Sequence, residues 1–441
     1  MRIVVVGGGL AGLTAAYLLR QRGDDVTVLE ASPEAGGKLR RAEVGGVVVD
    51  VGAESMLNRR PEGVALAREL GLSVEHPATV SSRIWTRGEL RPLPRSLMGV
   101  PLDLDELRRS GVLSADGLDR VSSEQPGVAV GDDVSVGDLV GSRLGDEVVD
   151  RLVEPLLGGV YAGHARLLSA RATVPQLVRL AERGPLLGAT LPTSDAPVFA
   201  GLPGGVAGLA AALAARVDVR TSATVRELAR SGTGFTVVVG PTTAPELLEA
   251  DAVVLATPAA PTARLLTDVA PAAAAELAAV ESASMAVASF AFRAEDVAGL
   301  DGSSGFLVPP VEGRAIKAST FSFVKWGWVR QAGAVEGLVH LRTSLGRHRE
   351  EAVLQRSDEE LVALSLADLA DAVGLAARPV DTHVQRWGGG LPQYAVGHLD
   401  RVARVRAALA VVPGLAVCGA AYDGVGIPAV IGSAHRALAD L

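Results

Sequence analysis

Residues 2–30 read RIVVVGGGLAGLTAAYLLRQRGDDVTVLE, and this stretch decides the fold. An apolar, β-branched run ends in glycines spaced as GxGxxG at Gly7, Gly9 and Gly12. A segment of helical periodicity follows, stops at Gly23, and gives way to a second apolar run, Asp25 to Leu29, that finishes on Glu30. Strand, tight turn, helix and strand in this order predict a βαβ unit. Gly7 makes the turn, Gly9 lets a pyrophosphate approach the backbone, and Gly12 lets helix and strand pack closely. The helix N-terminus, beginning with Leu10 and Ala11, offers amides and partial positive charge to a phosphate. Glu30 closes the second strand, where a carboxylate accepts hydrogen bonds from an adenosine ribose. A lone GxGxxG is weak evidence; here every part falls in register.

The bulk composition agrees with a large globular enzyme. At 441 residues and 48% hydrophobic content the chain can bury more than one core. A net charge of −8 without a basic run argues against nucleic-acid or anionic-membrane surfaces. The lone cysteine, Cys418, excludes an intrachain disulfide and a cysteine metal cage, so no metal is expected. The opening residues read as a strand and not as a signal peptide, and no window approaches a membrane span.

Further glycine-rich signals return to the same site. Downstream of Glu30, EASPEAGGKL carries Gly36, Gly37 and Lys38, and VVVDVGAES (47–55) is a strand ending in Gly52, Ala53, Glu54 and Ser55. Near the C-terminus a strand, the turn GAAYDGVGIP (419–428) and a last helix repeat the strand–turn–helix arrangement. These features separate a flavin from a nicotinamide site and point to FAD. Between residues 103 and 185 the pattern is mostly helical. Ser135 with Asp138 suggests a capping box. Val140, Leu144, Val148, Leu152 and Leu156 form an apolar stripe that Gly141 and Gly145 are expected to divide, with Pro155 and Gly158-Gly159 kinking and ending its last helix. Alternating and aromatic runs from Met285 to Ser344 predict a mixed, largely antiparallel sheet, and a hairpin is expected around Arg87-Gly88.

The motifs VVVGGGLAGLTAAYLL, VLEASPEAGGKL, DVGAES, RLGDEVVDRLVEPLLGGVYAGHARLLSA, LPQYAVGH and GAAYDGVGIP together resemble the flavin-dependent porphyrinogen oxidases of haem biosynthesis, over essentially the whole chain. The first motif is shared across the flavin amine oxidase and carotenoid desaturase superfamily; EPLLGGVYAG, PQYxxGH and YxGVGIP are narrower. The resemblance leans to the Gram-positive branch, which oxidises coproporphyrinogen III to coproporphyrin III.

The resemblance implies an α/β plus α+β protein: a two-dinucleotide-binding, Rossmann-like FAD domain, a mixed-sheet substrate domain and a helical insertion. The expected division is 1–79, 202–262 and 385–441 for FAD, 80–102 and 263–384 for substrate, and 103–201 for the insertion. The implied FAD is noncovalent, with Ala31, Val225, Trp387, Gly419, Gly424, Val425, Gly426 and Ile427 completing the contacts that begin at Gly7. No acid/base dyad is demanded. Arg83, Lys317, Lys325 and Arg342 are candidates to meet the propionates of a flat macrocycle, although a surface arginine or lysine is more often snorkelling or ion-paired. Implied partners are the porphyrinogen, dioxygen and, as a candidate, the next haem-pathway enzyme, with no nucleic acid. Without a basic face the insertion should touch a membrane weakly at most, in a cytoplasmic protein. Protoporphyrinogen oxidase is the nearest alternative, an amine oxidase or desaturase a more distant one, and a non-catalytic scaffold the remotest.

Overall fold

The computed structural model describes residues 1–78, 81–192, 195–232, 234–297 and 299–441. The predicted βαβ unit opens the chain, with β1 (Arg2–Val6), α1 (Leu10–Gln21) and β2 (Asp25–Leu29), followed by the hairpin β3 (Arg41–Val44) and β4 (Val47–Asp50). A second hairpin, β5 (Arg83–Thr86) and β6 (Glu89–Pro92), turns at Arg87-Gly88, both at positive φ as a tight two-residue turn requires.

A helical layer follows, including α2 (Val136–Leu144) and α3 (Glu154–Tyr161), and then α4 (Ala207–Ala214) leads into β7 (Asp218–Arg220). Strands β8 (Val225–Ser231), β9 (Gly234–Val239) and β10 (Glu246–Ala250) form an antiparallel meander before β11 (Ala252–Leu255). The chain continues through β12 (Ser282–Arg293), β13 (Gly305–Leu307), β14 (Ile316–Thr320), β15 (Leu338–Leu345), α5 (Asp358–Val373) and β16 (Asp381–Pro392). It closes with α6 (His398–Leu409), β17 (Leu415–Val417), α7 (Ala420–Asp423) and α8 (Ile427–Asp440).

Two sheets organise these elements. A five-stranded parallel sheet has the order β7-β2-β1-β11-β17. Its strands are apolar without alternation because both faces are covered: Val5 and Val254 pack with α1 and α8, whereas Val4 and Val253 pack with the meander and α6. A seven-stranded mixed sheet has the order β16-β12-β15-β14-β13-β5-β6. Along β12 and β15 the side chains alternate. Phe290, Phe292, Leu341 and Leu345 join Leu361 and Leu369 of α5 in one core, and the opposite face carries Arg342 and His340, whose Nε2 donates to the Val44 carbonyl at 2.9 Å. One face of the large sheet is therefore sealed by α5 and the other looks towards the β3–β4 hairpin.

The structure corrects several expectations. The expected division assigns residues 385–392 to the FAD domain, but they are the second half of β16 and pair with β12, so a boundary at 385 cuts a strand. The boundary between 79 and 80 lies outside the described residues. Gly141 stays inside α2; only Gly145, at φ +96°, ends it. The next turn, Val149–Val153, is a π-helix that runs directly into α3, so Pro155 sits where the hydrogen-bond ladder is already being reset. Helix α3 passes through Gly158-Gly159 and stops only at Ala162, which takes φ +50°. Close packing does not require either glycine: among the described residues a Cβ on Gly159 would meet Leu307 of β13 at an ordinary contact distance of 3.8 Å, and one on Gly158 the Gly163 oxygen at 4.0 Å. Ser135 does cap α2 through the Asp138 amide at 3.0 Å, but the reciprocal capping box belongs to Ser357 and Glu360 at the start of α5.

Candidate functional site

In the glycine cradle of residues 7–12, Gly7 and Gly12 hold positions that only glycine permits. Gly7 lies at φ +108°, with a Cβ position 3.0 Å from the Ala256 carbonyl. A Cβ on Gly12 would fall 1.9 Å from the Gly7 oxygen. Gly9 caps α1 with no side chain on the helix amides, and its own Cβ position meets nothing closer than Gly37 Cα at 3.9 Å. Leu10 and Ala11 form the buried first turn. Gly36 donates to the Gly8 carbonyl at 2.7 Å, and a Cβ on Gly37 would stand 3.0 Å from Gly9 Cα, so the two glycine loops lie against each other.

Glu30 accepts from the amides of Gly8 (2.7 Å) and Ser32 (2.8 Å) and from the Ser32 hydroxyl (2.7 Å). The neighbouring strand clasps its backbone, with Glu30 N donating to Arg220 and Ala223 N donating to Glu30. Ala31 is exposed beside it, and Val225 is buried in the core under the meander. Free helix-start amides, an uncluttered backbone and a carboxylate at the second strand's end fit an adenine dinucleotide.

A second wall runs from Lys38 to Ser55. Gly52 presses against the Lys38 carbonyl, where a Cβ would lie at 2.1 Å, and Ala53 donates to the same oxygen at 3.1 Å. Trp387 of β16 donates Nε1 to the Val51 carbonyl at 3.3 Å, with its ring 3.0 Å from the Gly52 Cβ position. Asp50 accepts from the amides of Val206 (2.9 Å) and Ala207 (3.3 Å) at the start of α4, which ties β4 to that helix. Burial raises its carboxyl to about 7 against the lowering effect of those amides.

Glu54 is buried between Lys325 Nζ at 2.5 Å and Arg342 Nε at 3.2 Å, and Arg342 also donates to the Gly52 carbonyl at 2.8 Å. Burial alone would raise the Glu54 carboxyl, but the Arg342 and Lys325 charges outweigh it and hold it below the usual range.

The narrow motifs, far apart in sequence, converge. Gln393 Nε2 donates to the Tyr161 carbonyl at 2.8 Å, Ser169 donates its amide to the Tyr394 carbonyl at 2.7 Å, and the Tyr161 and Tyr394 rings lie 5.6 Å apart. The Tyr394 hydroxyl donates to the Ala420 carbonyl, so the end of α3 is linked through β16 to the turn that follows β17. In that turn Gly419 and Gly424 hold φ of +126° and +133°, and Gly426 starts α8 with no side chain on its amides. Val425 and Ile427 face different cores, Val425 on the helical layer and Ile427 beneath the parallel sheet.

The four cations expected to meet substrate separate. Lys325, expected beside a strand, ends a short helix (Ser322–Lys325). With Arg342 it is spent on Glu54, so neither is the free cation anticipated, and Glu54 is an ionic anchor between the nucleotide side and the large sheet. Arg83 shares its face of β5 with Trp85, whose ring is in the α5-side core, while Ile84 faces the helical layer. Among the described residues Arg83 pairs with no carboxylate. Lys317 is buried on β14 and donates to the Gly346 carbonyl at 2.9 Å. Two positions outside the expected set tie these walls together, Asp50 and Gln393, which stand inside the DVGAES and LPQYAVGH motifs.

Comparison with known proteins decides what this arrangement belongs to. The family described as flavin containing amine oxidoreductase matches residues 10–441. The chain belongs to that family. It is an FAD-dependent oxidase on a flavin amine oxidase fold. It is 40% identical to the coproporphyrinogen III oxidase of Mycobacterium tuberculosis over 450 residues, covering 98% of this chain and 96% of that one. The coproporphyrinogen III oxidase of Bacillus subtilis is 30% identical over 467 residues, covering 99% and 97%. A solved structure from Exiguobacterium, assigned as a protoporphyrinogen oxidase, superposes with a TM-score of 0.87 at 30% identity, covering 99% and 97% of the two chains.

Proposed function

We propose that the chain oxidises coproporphyrinogen III to coproporphyrin III in haem biosynthesis. The observation that carries this reading is the joining of the α3 end, the Gln393-Tyr394 pair and the turn at 419–427 into one contact network, in a chain 40% identical to a coproporphyrinogen III oxidase over nearly its full length. The conversion removes six hydrogens as three two-electron oxidations and reduces three dioxygen molecules to three of hydrogen peroxide. When bound, FAD supplies the two-electron acceptor for each of these oxidations.

The protein's own residues hold the cofactor. Gly7, Gly9, Leu10, Ala11 and Gly12 present backbone and helix amides to the pyrophosphate, and Glu30 receives the ribose hydroxyls beside Ala31 and Val225. Gly36, Gly37, Lys38, Gly52, Ala53, Ser55 and Trp387 border the cofactor on one side, and Gly419, Gly424, Val425, Gly426 and Ile427 on the other, with Glu54 bracing the first wall. Cys418 is buried and its thiol is pushed up to about 12, which favours a noncovalent cofactor.

Aerobic and anaerobic incubation of the purified protein with coproporphyrinogen III tests the reading. Oxygen-dependent porphyrin fluorescence well above autoxidation is expected; its absence overturns the proposal. A second reading, protoporphyrinogen IX oxidation, is favoured by the likeness to the Exiguobacterium structure and wins if that substrate has the higher kcat/KM. No helix among the described residues is long and apolar enough to cross a membrane. We place the enzyme in the cytoplasm, with the next pathway enzyme as a candidate partner and weak membrane contact at most, to be checked by sedimentation with washed membranes.

A further inference from the structure

Two buried cations, one on β14 of the large sheet and one in the loop after β15, lack a dedicated counter-ion among the described residues. Lys317 is 4% exposed and Arg347 8% exposed. Lys317 sits at the irregularity in the β14–β15 pairing between Ile316 and Ala318, and α3 packs against β14. Lys317 donates to the Gly346 carbonyl at 2.9 Å, and Arg347 Nη2 donates to the Val308 carbonyl at 3.3 Å. No carboxylate lies within 4 Å of either group among the described residues.

The acidic groups around Arg347 are engaged elsewhere. Glu154 accepts from the Ala165 amide at 3.0 Å, and burial holds its carboxyl above the usual range, which weakens it as an anion. Asp368 accepts from the Ile316 amide at 2.9 Å and stands 3.7 Å from Arg314. Glu350 is half-exposed and points to His164 at 3.8 Å. Two desolvated cations without an anion are costly to bury, and the cost falls when a carboxylate arrives.

We propose that Lys317 and Arg347 form a carboxylate-binding subsite that takes one propionate of the macrocycle, resting on the porphyrinogen reading above. Its position relates it to the substrate side. The loop carrying Arg347 is bound to the end of α3, with His348 N donating to the Ala162 carbonyl at 2.7 Å and His164 Nε2 donating to the His348 carbonyl at 2.7 Å. The same helix end is held by Gln393 and lies near Leu307 of β13, and Leu307 and Val425 of the turn at 419–427 both pack against the core of the helical layer. Burial, with the Arg347 charge adding to it, lowers the Lys317 ammonium to about 7. An incoming carboxylate would restore it to full charge. Arg347 supplies a planar fork for the acid, and Lys317 a single strong donor.

The test compares binding of coproporphyrin III with binding of its tetramethyl ester to the FAD-loaded enzyme, followed by porphyrin fluorescence. The wild type should prefer the free acid, and Lys317→Met and Arg347→Met should each lose roughly tenfold of that preference while ester affinity stays unchanged. Arg347→Lys should retain part of it, and it carries the test with Lys317→Met if Arg347→Met fails to hold FAD. Equal losses for acid and ester, or an unchanged acid preference, overturn the subsite. A wild type that oxidises coproporphyrinogen but binds acid and ester alike also overturns it and leaves the reaction standing. A wild type inert to both porphyrinogens overturns the reaction reading itself, and the subsite with it.

Discussion

Gln393 donates its side-chain amide to the carbonyl of Tyr161 at 2.8 Å, across 232 positions of sequence. This bond satisfies a carbonyl of the last turn of α3, where the helix has run out of its own donors. Replacing Gln393 with Leu leaves that carbonyl buried without a partner, at a cost of about 1–3 kcal/mol. The expected outcome is a lower denaturation midpoint and a raised KM for the porphyrinogen with bound flavin retained. A change in flavin content without a change in KM would contradict the link between this helix end and the substrate side.

Gly12 offers the sharpest test of the cradle. Its Cβ position lies 1.9 Å from a backbone oxygen, so Gly12→Ala must push β1 and α1 apart. The purified variant should be colourless, with the flavin absorption band lost. Full flavin occupancy would show that the loop tolerates a methyl group.

The Glu54 triad carries stability. Glu54→Gln leaves the partly buried Lys325 and Arg342 without their carboxylate, and breaking one partner out of such a cluster costs up to about 3–5 kcal/mol. Chemical denaturation should show that loss. A Glu54→Gln, Lys325→Met double variant should recover part of it, since it leaves one unpaired cation fewer. Additive losses would mean that the three groups are independent.

Asp50 sets a pH dependence of definite sign. Its carboxyl is raised from the ordinary aspartate value of 3.8 to about 7 in the folded chain. The folded state therefore binds the proton more tightly, and this contribution to stability is present at low pH and lost as pH rises from about 4 to about 7. Glu54, held low, contributes in the opposite direction: its share is present above the ordinary carboxylate range and lost on acidification. Asp50→Asn should remove the falling slope from the stability profile between these limits, read by denaturation at stepped pH. An unchanged profile would show that Asp50 does not titrate there.

The sequence by itself determined the parts that depend on neighbours along the chain. The turn at Gly7, the packing at Gly12, the carboxylate at Glu30 and the hairpin at Arg87-Gly88 are local: backbone φ, Cβ clearance and strand alternation act within a few residues, and residue type records them directly. The glycine-rich motifs around 154–169, 391–398 and 419–428 are visible in the same way as departures from ordinary composition. Their meeting point is not, because Gln393 and Tyr161 are joined by the register of β16 on β12, and no local preference encodes that register.

Long-range charge pairing was equally hidden. Lys325 and Arg342 look like free basic residues in sequence, and only folding brings Glu54 between them. Lys317 and Arg347 look no different, and only folding leaves them buried without an acid. Glycine had two meanings as well: Gly145 ends a helix, whereas Gly158-Gly159 stays helical. The tertiary structure decided these points because desolvation and close packing depend on which distant surfaces meet.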